Sequence, residues 1–496
     1  MSSRGVDLLA YADRLGGDLA GLRALLDGPL AEFAGVHILP FFTPFDGADA
    51  GFDPVDHAAV DLRLGGWDDV RAIAERRGVT ADLIVNHVSS ASAEFADWLR
   101  HGADSAADGM FLTYDRVFPD GGTEEEITAF YRPRPGLPFT AYRAADGRRR
   151  LVWTTFLPSQ IDLDVAHPAA RAYLRRVLDA LREGGVTTVR LDAVGYAVKT
   201  PGTDSFMTPA TLEFVREIAA MVRAAGMRVL VEVHAHYTQQ QAIAPLVDLV
   251  YDFALPALLL HSLGTGTVDR IADWLAIRPD NAVTVLDTHD GIGVVDAGPG
   301  AGRPGLLSTD EMAAVFARAA EATDGHSSVA SVVPEWAAMP HQINATFLSA
   351  LGGDGTAYLL CRAVQLWVPG EPQLYYVGLL GGLDDAALFE RTGNGRDVNR
   401  HVYPADEIEA ALQTPVTRAL LELVRIRTRH AAFDGAFGYR VRGDGRLELT
   451  RTSGGAMARL TVATREPAFE IELRDASGSR VISGIDDLAA EGMTAG

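Results

Sequence analysis

Short apolar runs, separated by stretches long enough for a helix, set the rhythm of most of the chain. They are Val6–Ala12, Gly35–Phe41, Ala81–His87, Thr188–Val194, Val229–His234, Leu249–Leu255, Ala282–Thr288 and Pro372–Val377. A near-continuous apolar run is the pattern of a parallel strand covered on both faces. One linking helix is explicit. Thr208-Pro209 supplies an N-cap and first turn, Leu212, Val215, Ala219 and Val222 recur at helical spacing, and Gly226 ends the run. Strands alternating with helices in this number predict an α/β fold, a closed (β/α)8 TIM barrel.

Two intervals are too long for simple crossovers. Residues 88–165 are rich in Pro, Gly and aromatics, and residues 291–352 run from a Gly/Pro-rich opening to PEWAAMPHQ. Both follow strand ends, so they are expected to be inserted subdomains that wall a cleft. The barrel would then occupy 1–87, 166–290 and 353–432. From 433 to 496 the period changes. Tyr439/Val441, Leu447/Leu449 and Phe469/Ile471/Leu473 alternate with polar residues around a GDG turn at 443–445, which predicts a small C-terminal β domain.

The chain has 496 residues, 48% hydrophobic and 22% charged, with a net charge of −22. That balance argues against nucleic acid or anionic lipid as partner. Any phosphate site must be locally basic against an acidic background. No run of eighteen apolar residues occurs, so neither a signal peptide nor a membrane span is expected. Cys361 is the single cysteine. It excludes an intrachain disulfide and a Cys-type zinc site, and a reducing cytoplasm is the expected compartment. Its apolar surroundings, YLLCRAVQLWV, make it a small buried residue rather than a nucleophile.

Charged and polar groups gather where these strands end. Asp82 and His87 bracket the third, Arg190 and Asp192 lie in the fourth, Glu232 and His234 end the fifth, and Asp287, His289 and Asp290 end the seventh. In a parallel barrel such ends converge on one point. Retaining glycosyl transfer needs two carboxyl groups about 5–5.5 Å apart, a nucleophile and a proton donor. Arg190, two residues before Asp192, points to the same side of its strand and would keep that carboxylate ionised. Glu232 has only His234 at that offset and suits the acid that is protonated at rest. Asp290 could hold sugar hydroxyls and offset oxocarbenium charge. Spacing alone leaves open a structural Arg190–Asp192 pair. No metal-ligand spacing such as HExxH occurs, and no metal is expected.

The stretches DLIVNH (82–87), VRLDAV (189–194), LVEVH (230–234) and VLDTHD (285–290) resemble, in combination and order, the signatures of the α-amylase clan of glycoside hydrolases. Within that clan, HILPFFTPFDGADAGFDPVDH (37–57), YRPRPGLPFT (131–140), RLDAVGY (190–196), VYDFALP (250–256), NAVTVLDTHDGIGV (281–294) and NGRDVNR (394–400) are similar to the sucrose phosphorylase family, over roughly residues 6–440. The resemblance implies Asp192 as nucleophile, Glu232 as general acid/base and Asp290 as transition-state stabiliser. Asp49, Phe52, His87, Arg190, His289 and Arg396 would clamp the glucosyl unit, with Phe156 as a second apolar face and Gln342 among the substrate contacts. Arg134, His234, His341 and Tyr131 would face the leaving group and the incoming phosphate. It also implies a glucosyl-enzyme intermediate taken by phosphate, with no metal or organic cofactor. Expected partners are small molecules, namely sucrose or sucrose 6′-phosphate and inorganic phosphate, with a homodimer left open.

One segment departs from the family. In the acceptor loop, 334–344, Met339 stands where the family has an Asp, and His341 where it has a Tyr. Losing an anion and gaining an imidazole near Arg134 favours a phosphorylated leaving group, so the expectation leans slightly to sucrose 6′-phosphate over sucrose. A glucosylglycerol- or glucosylglycerate-type phosphorylase, or a retaining α-glucosidase or transglucosidase, would share the three carboxylates. A non-enzymatic, amylase-like binding module would not need them.

Overall fold

The structure is a computed structural model that describes residues 5–494 apart from 48, 133–135, 301 and 332–339, without the side chains of 492–494. Eight parallel strands close into a barrel: β1 (Asp7–Ala10), β2 (Gly35–Ile38), β3 (Gly78–Ile84), β4 (Thr188–Asp192), β5 (Arg228–Val231), β6 (Leu249–Asp252), β7 (Ala282–Thr284) and β8 (Glu371–Tyr375). Each pairs with its neighbours in sequence, and β8 returns to β1. The expected strands are all present, and most stop earlier than the apolar runs do. Ala282–Thr288 is strand only to Thr284, and Val229–His234 only to Val231. Past the ladder the chain curls over the barrel rim, still buried, and those trailing residues carry the chemistry.

The helix expected after Thr208 runs Pro209–Ala224, with the Thr208 hydroxyl accepting from the Thr211 amide at 3.3 Å. Gly226 follows it with φ +82°, the left-handed conformation that stops helices cheaply only at glycine. Cys361 is fully buried on the helix Gly355–Trp367, and burial pushes its thiol up, away from reactivity.

Residues 88–165 hold short helices, the hairpin Phe139–Arg143/Arg149–Trp153 and the strand Gln160–Asp162, which pairs antiparallel with His87–Ser89 at the end of β3. Residues 291–352 contain the helix Thr309–Ala322, packed on the barrel helix Ala254–Thr265, and a two-residue ladder joining Ile292–Gly293 to Gln342–Ile343. That ladder ties the acceptor loop to the end of β7.

The C-terminal region is a five-stranded antiparallel meander: β9 (Ala436–Gly443), β10 (Arg446–Ser453), β11 (Ala456–Ala463), β12 (Ala468–Asp475) and β13 (Gly478–Ser483). Asp444 and Gly445, with φ +48° and +69°, make the two-residue turn between β9 and β10. Leu447, Leu449, Phe469, Ile471 and Leu473 are buried as their alternation predicts, whereas Tyr439 and Val441 are 39% and 40% exposed. Their strand is the sheet edge, so its alternation marks no buried face.

Candidate active site

Arg190 organises the barrel mouth. It is buried on β4, and its guanidinium reaches three carboxylates on three strands. Nη1 donates to Asp82 on β3 and, at 3.1 Å, to Asp192 on β4; Nη2 pairs with Glu232, just past β5. Asp82 is in turn 3.1 Å from His37 on β2. Burial alone would raise the Asp82 carboxyl, but Arg190 and His37 outweigh it and hold it well below the usual range. Arg190 thus has one permanent anion beneath it and two carboxyls on its open side.

Glu232, expected to have only His234 as a basic neighbour at the two-residue offset along its strand, thus also holds a cation from the adjacent strand. The same guanidinium serves both groups, and a single cation cannot neutralise Asp82, Asp192 and Glu232 together. Burial raises the Asp192 carboxyl well above its ordinary value, with Glu232, Asp82 and Asp49 adding to the rise and Arg190 opposing it. Asp192 and Glu232 therefore compete for one cation in a buried site, which favours the protonated form of Asp192, against the expectation that Arg190 keeps it ionised. What separates them is placement. Asp192 shares the Nη1 arm with Asp82. Glu232 lies on the other arm, and its Oε1 is 3.7 Å from His234 Nε2. The residue after Asp192, Ala193, sits at φ +53°. A strained backbone there aims the carboxylate at the mouth.

Asp290, past β7, is held by Arg396 Nη1 at 2.8 Å and faces Arg400 at 3.6 Å and His289 at 3.5 Å. Burial would raise its carboxyl, yet Arg396, His289, Arg400 and His234 overcome that and keep it well below the ordinary value. It is a fixed anion. Glu232, His234 and Asp290 each offer an atom within 4.8 Å of the others. Such a trio could cradle a cation, but guanidiniums already occupy both carboxylates, so positive charge here comes from the protein itself.

The floor and one wall of the pocket are aromatic. Phe52 stacks on His289 with ring centres 4.8 Å apart, and Arg190 lies 5.5 Å over the same Phe52 ring. His87 lies 2.9 Å from the Phe52 carbonyl, and Phe156 packs 5.4 Å from the His87 ring. Burial lowers both His87 and His289, so their imidazoles are neutral hydrogen-bonding groups. Asp49 accepts from Gln160 at 2.7 Å and lies 3.6 Å from Arg396. Gln342 donates to the Asp290 carbonyl and, at 2.9 Å, to Asn344.

On the acceptor side, His234 stacks on Phe253 with centres 4.0 Å apart. Burial would lower it, but Asp296, Glu232 and Asp290 raise it above its ordinary value. Tyr131 bonds His341 Nε2 at 2.7 Å, and the two rings lie nearly parallel. Burial, with His234 nearby, pushes His341 down to about 4, so its imidazole is neutral near pH 7. Arg134 and Met339 lie outside the described residues.

Asp287, expected among the strand-end carboxylates, is turned away from the mouth. It pairs with buried Arg362 at 2.6 Å and is structural. Several residues were missed. Arg400 is fully buried with its Nε on the His289 carbonyl at 2.8 Å, and Phe253 underlies His234. Both fall inside stretches that resemble the family, NGRDVNR and VYDFALP, so a signal existed. Asp296, in IGVVDAG, carried none.

A closed parallel barrel whose strand ends set two carboxyls on one guanidinium and a third on another is the architecture of an α-amylase-type glycosyl-transferring enzyme. Residues 6–261 match the alpha amylase catalytic domain. The chain belongs to the sucrose phosphorylase family and is a hexosyltransferase of that type. It is 48% identical to the sucrose phosphorylase of Agrobacterium vitis, over 92% of this chain and 94% of that one. It is 44% identical to the sucrose phosphorylase of Bifidobacterium adolescentis, over 98% of both. Its fold is similar to the crystal structure of sucrose 6F-phosphate phosphorylase from Thermoanaerobacter thermosaccharolyticum, with a TM-score of 0.91 at 34% identity, over 97% of this chain and 98% of that one. Among the described residues, no helix is long and apolar enough to cross a membrane.

Proposed function

We propose that this protein is a retaining glucoside phosphorylase that moves a glucosyl unit from a fructoside to inorganic phosphate, through a covalent bond to Asp192. The observation that carries this reading is the grip of Arg190 on both Asp192 and Glu232. Two carboxyls on adjacent arms of one guanidinium suit the close pair that retention uses, about 5–5.5 Å apart, and the family resemblance supports that choice over inversion. Asp192 attacks the anomeric carbon as a carboxylate while Glu232, on the His234 side, gives a proton to the leaving fructosyl oxygen. Asp290 offsets the oxocarbenium charge. Phosphate then enters beside His234, and Glu232 takes back a proton as α-glucose 1-phosphate leaves. Asp49, Arg396, His87, His289, Phe52 and Phe156 clamp the glucosyl ring, with Gln342 bracing Asp290. No step calls for a metal or organic cofactor.

For the leaving group, the reading leans to sucrose 6′-phosphate. Its support is His341, bonded to Tyr131 and turned toward the histidine end of the site, where an imidazole can donate to a phosphoryl oxygen. A specific observation favours plain sucrose instead. His341 is neutral and so adds no charge of its own, and the relatives at 48% and 44% identity carry the name sucrose phosphorylase. Glucose 1-phosphate release at fixed phosphate, compared by kcat/KM for the two sugars, separates them. A preference for the phosphorylated sugar that His341→Phe removes selectively upholds the lean. A preference for sucrose, or equal loss on both sugars, refutes it. No glucose 1-phosphate from either would overturn the sucrose-type reading in favour of a hydrolase or a glucosylglycerol- or glucosylglycerate-type phosphorylase.

A further inference from the structure

The acceptor side contains a buried carboxylate that the reaction does not touch. Asp296 is fully buried, on a short turn directly after the Ile292–Gly293 ladder. Its Oδ1 accepts from the Ala235 amide at 3.3 Å and from the Gln240 amide group at 2.7 Å. Its Oδ2 is buried without a hydrogen-bond partner and lies 3.7 Å from His234 Nδ1. Both ring nitrogens of His234 likewise have none, and Nε2 faces Glu232. The amides of Val294 and Val295, just before Asp296, lean on the His341 carbonyl at 3.4 and 3.2 Å.

We propose that Asp296 is the positioning residue of the phosphate-accepting half of the site, holding His234 as an imidazolium whose Nδ1–H points at Asp296 and whose Nε2–H points at the acceptor anion. The inference rests on the phosphorylase reading above. One carboxylate oxygen is anchored by two donors, so the other is aimed, and among the described residues the basic group it faces is His234. A closure of about 0.8–1.0 Å turns 3.7 Å into a charge-assisted hydrogen bond of about 2.7–2.9 Å. The groups facing His234 are Asp296, Glu232, Asp290 and neutral His341. Three of the four are carboxyls, and of these Asp296 alone is outside the reacting set. It therefore keeps the imidazole charged when Glu232 is protonated and Asp290 is engaged with Arg396. The same turn carries the His341 carbonyl contacts, so it joins the imidazolium to the acceptor loop. In a protein of net charge −22, a histidine braced by a buried carboxylate gives phosphate a positive contact that other anions do not fully cancel.

Asp296→Asn tests this in the full-length enzyme. An asparagine keeps the anchored oxygen but presents an amide to Nδ1, which removes the support for the imidazolium. The ratio of phosphorolysis to hydrolysis should fall at least tenfold, through KM for phosphate more than through kcat. The alkaline limb of kcat/KM for phosphate should move to lower pH by about one unit. In a His234→Gln background the same substitution should have little further effect. A folded Asp296→Asn with unmoved ratio and unmoved limb overturns the proposal. Independently of any variant's folding, the His234 Cε1–H signal of the wild type, assigned by its loss in His234→Gln, should titrate above 6.5; a midpoint at or below that also overturns it. Wild-type enzyme that makes no glucose 1-phosphate would instead sink the phosphorylase reading itself.

Discussion

Asp7, at the end of the barrel opposite the active site, should weaken the fold at neutral pH, and replacing it with asparagine should strengthen it. The residue starts β1, and its carboxyl sits over Gly35 of β2, where even a Cβ would collide with it. The nearest cation, Arg228 on β5, is already bonded to Glu371 on β8 at 2.6 and 3.0 Å. One cation faces two carboxylates, and Asp7 is the surplus anion. Burial raises it from 3.8 to about 7, with Glu371 adding to the rise and Arg228 opposing it. Below pH 3.8 the folded and unfolded chains both carry the proton, and Asp7 withdraws nothing. Between 3.8 and about 7 the folded protein keeps a proton that the unfolded chain has lost, so stability falls as pH rises. Above 7 the loss is complete. At 1.36 kcal/mol per pH unit that span is a ceiling of ~4 kcal/mol, of which local relaxation leaves about 2. Asp7→Asn keeps the shape and removes the charge. The difference in thermal midpoint between variant and wild type, measured from pH 4 to 9, should start near zero, open between pH 4 and 7, and then stay constant. Glucosyl transfer should be unaffected. A difference flat in pH, or one that shrinks above pH 7, refutes the reasoning.

Other outcomes follow from the same electrostatics. Asp192→Asn should lower kcat by ~10⁴-fold or more while sugar binding persists in calorimetry, because it removes the proposed nucleophile and leaves the proposed clamp. The same variant should also melt at or above the wild-type temperature near pH 7, since a carboxyl raised by burial destabilises the resting pocket. Arg362→Met strands the Asp287 carboxylate in the interior and should cost about 3–5 kcal/mol, read as a large drop in thermal midpoint with little change in KM of the surviving enzyme. Replacing both partners, as Asp287→Leu with Arg362→Met, should recover much of that loss.

The barrel was legible because its strands are buried on both faces, so β3 reads as seven consecutive buried residues with no period to confuse. The C-terminal hairpins were legible for the opposite reason, a period of two with a turn at Asp444-Gly445. Edge strand β9 kept that period without a buried face, which no local pattern can reveal. At the site, strand-end position found Arg190, Asp192, Glu232 and Asp290 because barrel geometry makes such ends converge. It grouped Asp287 with the converging strand-end residues, because the partner that turns it away, Arg362, lies 75 residues on and was invisible to local spacing. The neighbour argument for Glu232 failed for the same reason. Offset along one strand shows Arg190 beside Asp192 but not its second arm crossing to β5. Asp296 escaped because a lone Asp in a Gly-rich turn carries no signal until the fold puts it under His234.

Among the described residues, the arginines around the mouth are committed to carboxylates, and in the proposed reaction the acceptor side falls to histidine. Arg190 is committed to Asp82, Asp192 and Glu232, Arg396 to Asp290 and Asp49, and Arg362 to Asp287. Arg190 and Arg396 are paired with carboxylates at the mouth and Arg362 with a structural one, and a guanidinium never gives up its proton. A phosphate entering this set would compete with carboxylates for the same arms. A group that acquires charge from a separate, buried anion escapes that competition, and His234 over Asp296 is built in that way. The proton is also mobile on the scale of the reaction. In the proposed reaction Glu232, 3.7 Å from His234 Nε2, alternates between acid and base, and an imidazolium beside it would favour the carboxylate form that accepts a proton from phosphate. Anion binding and base activation are thus two consequences of one charged ring, which ties the choice of phosphate over water to the state of His234 rather than to the shape of the glucosyl pocket.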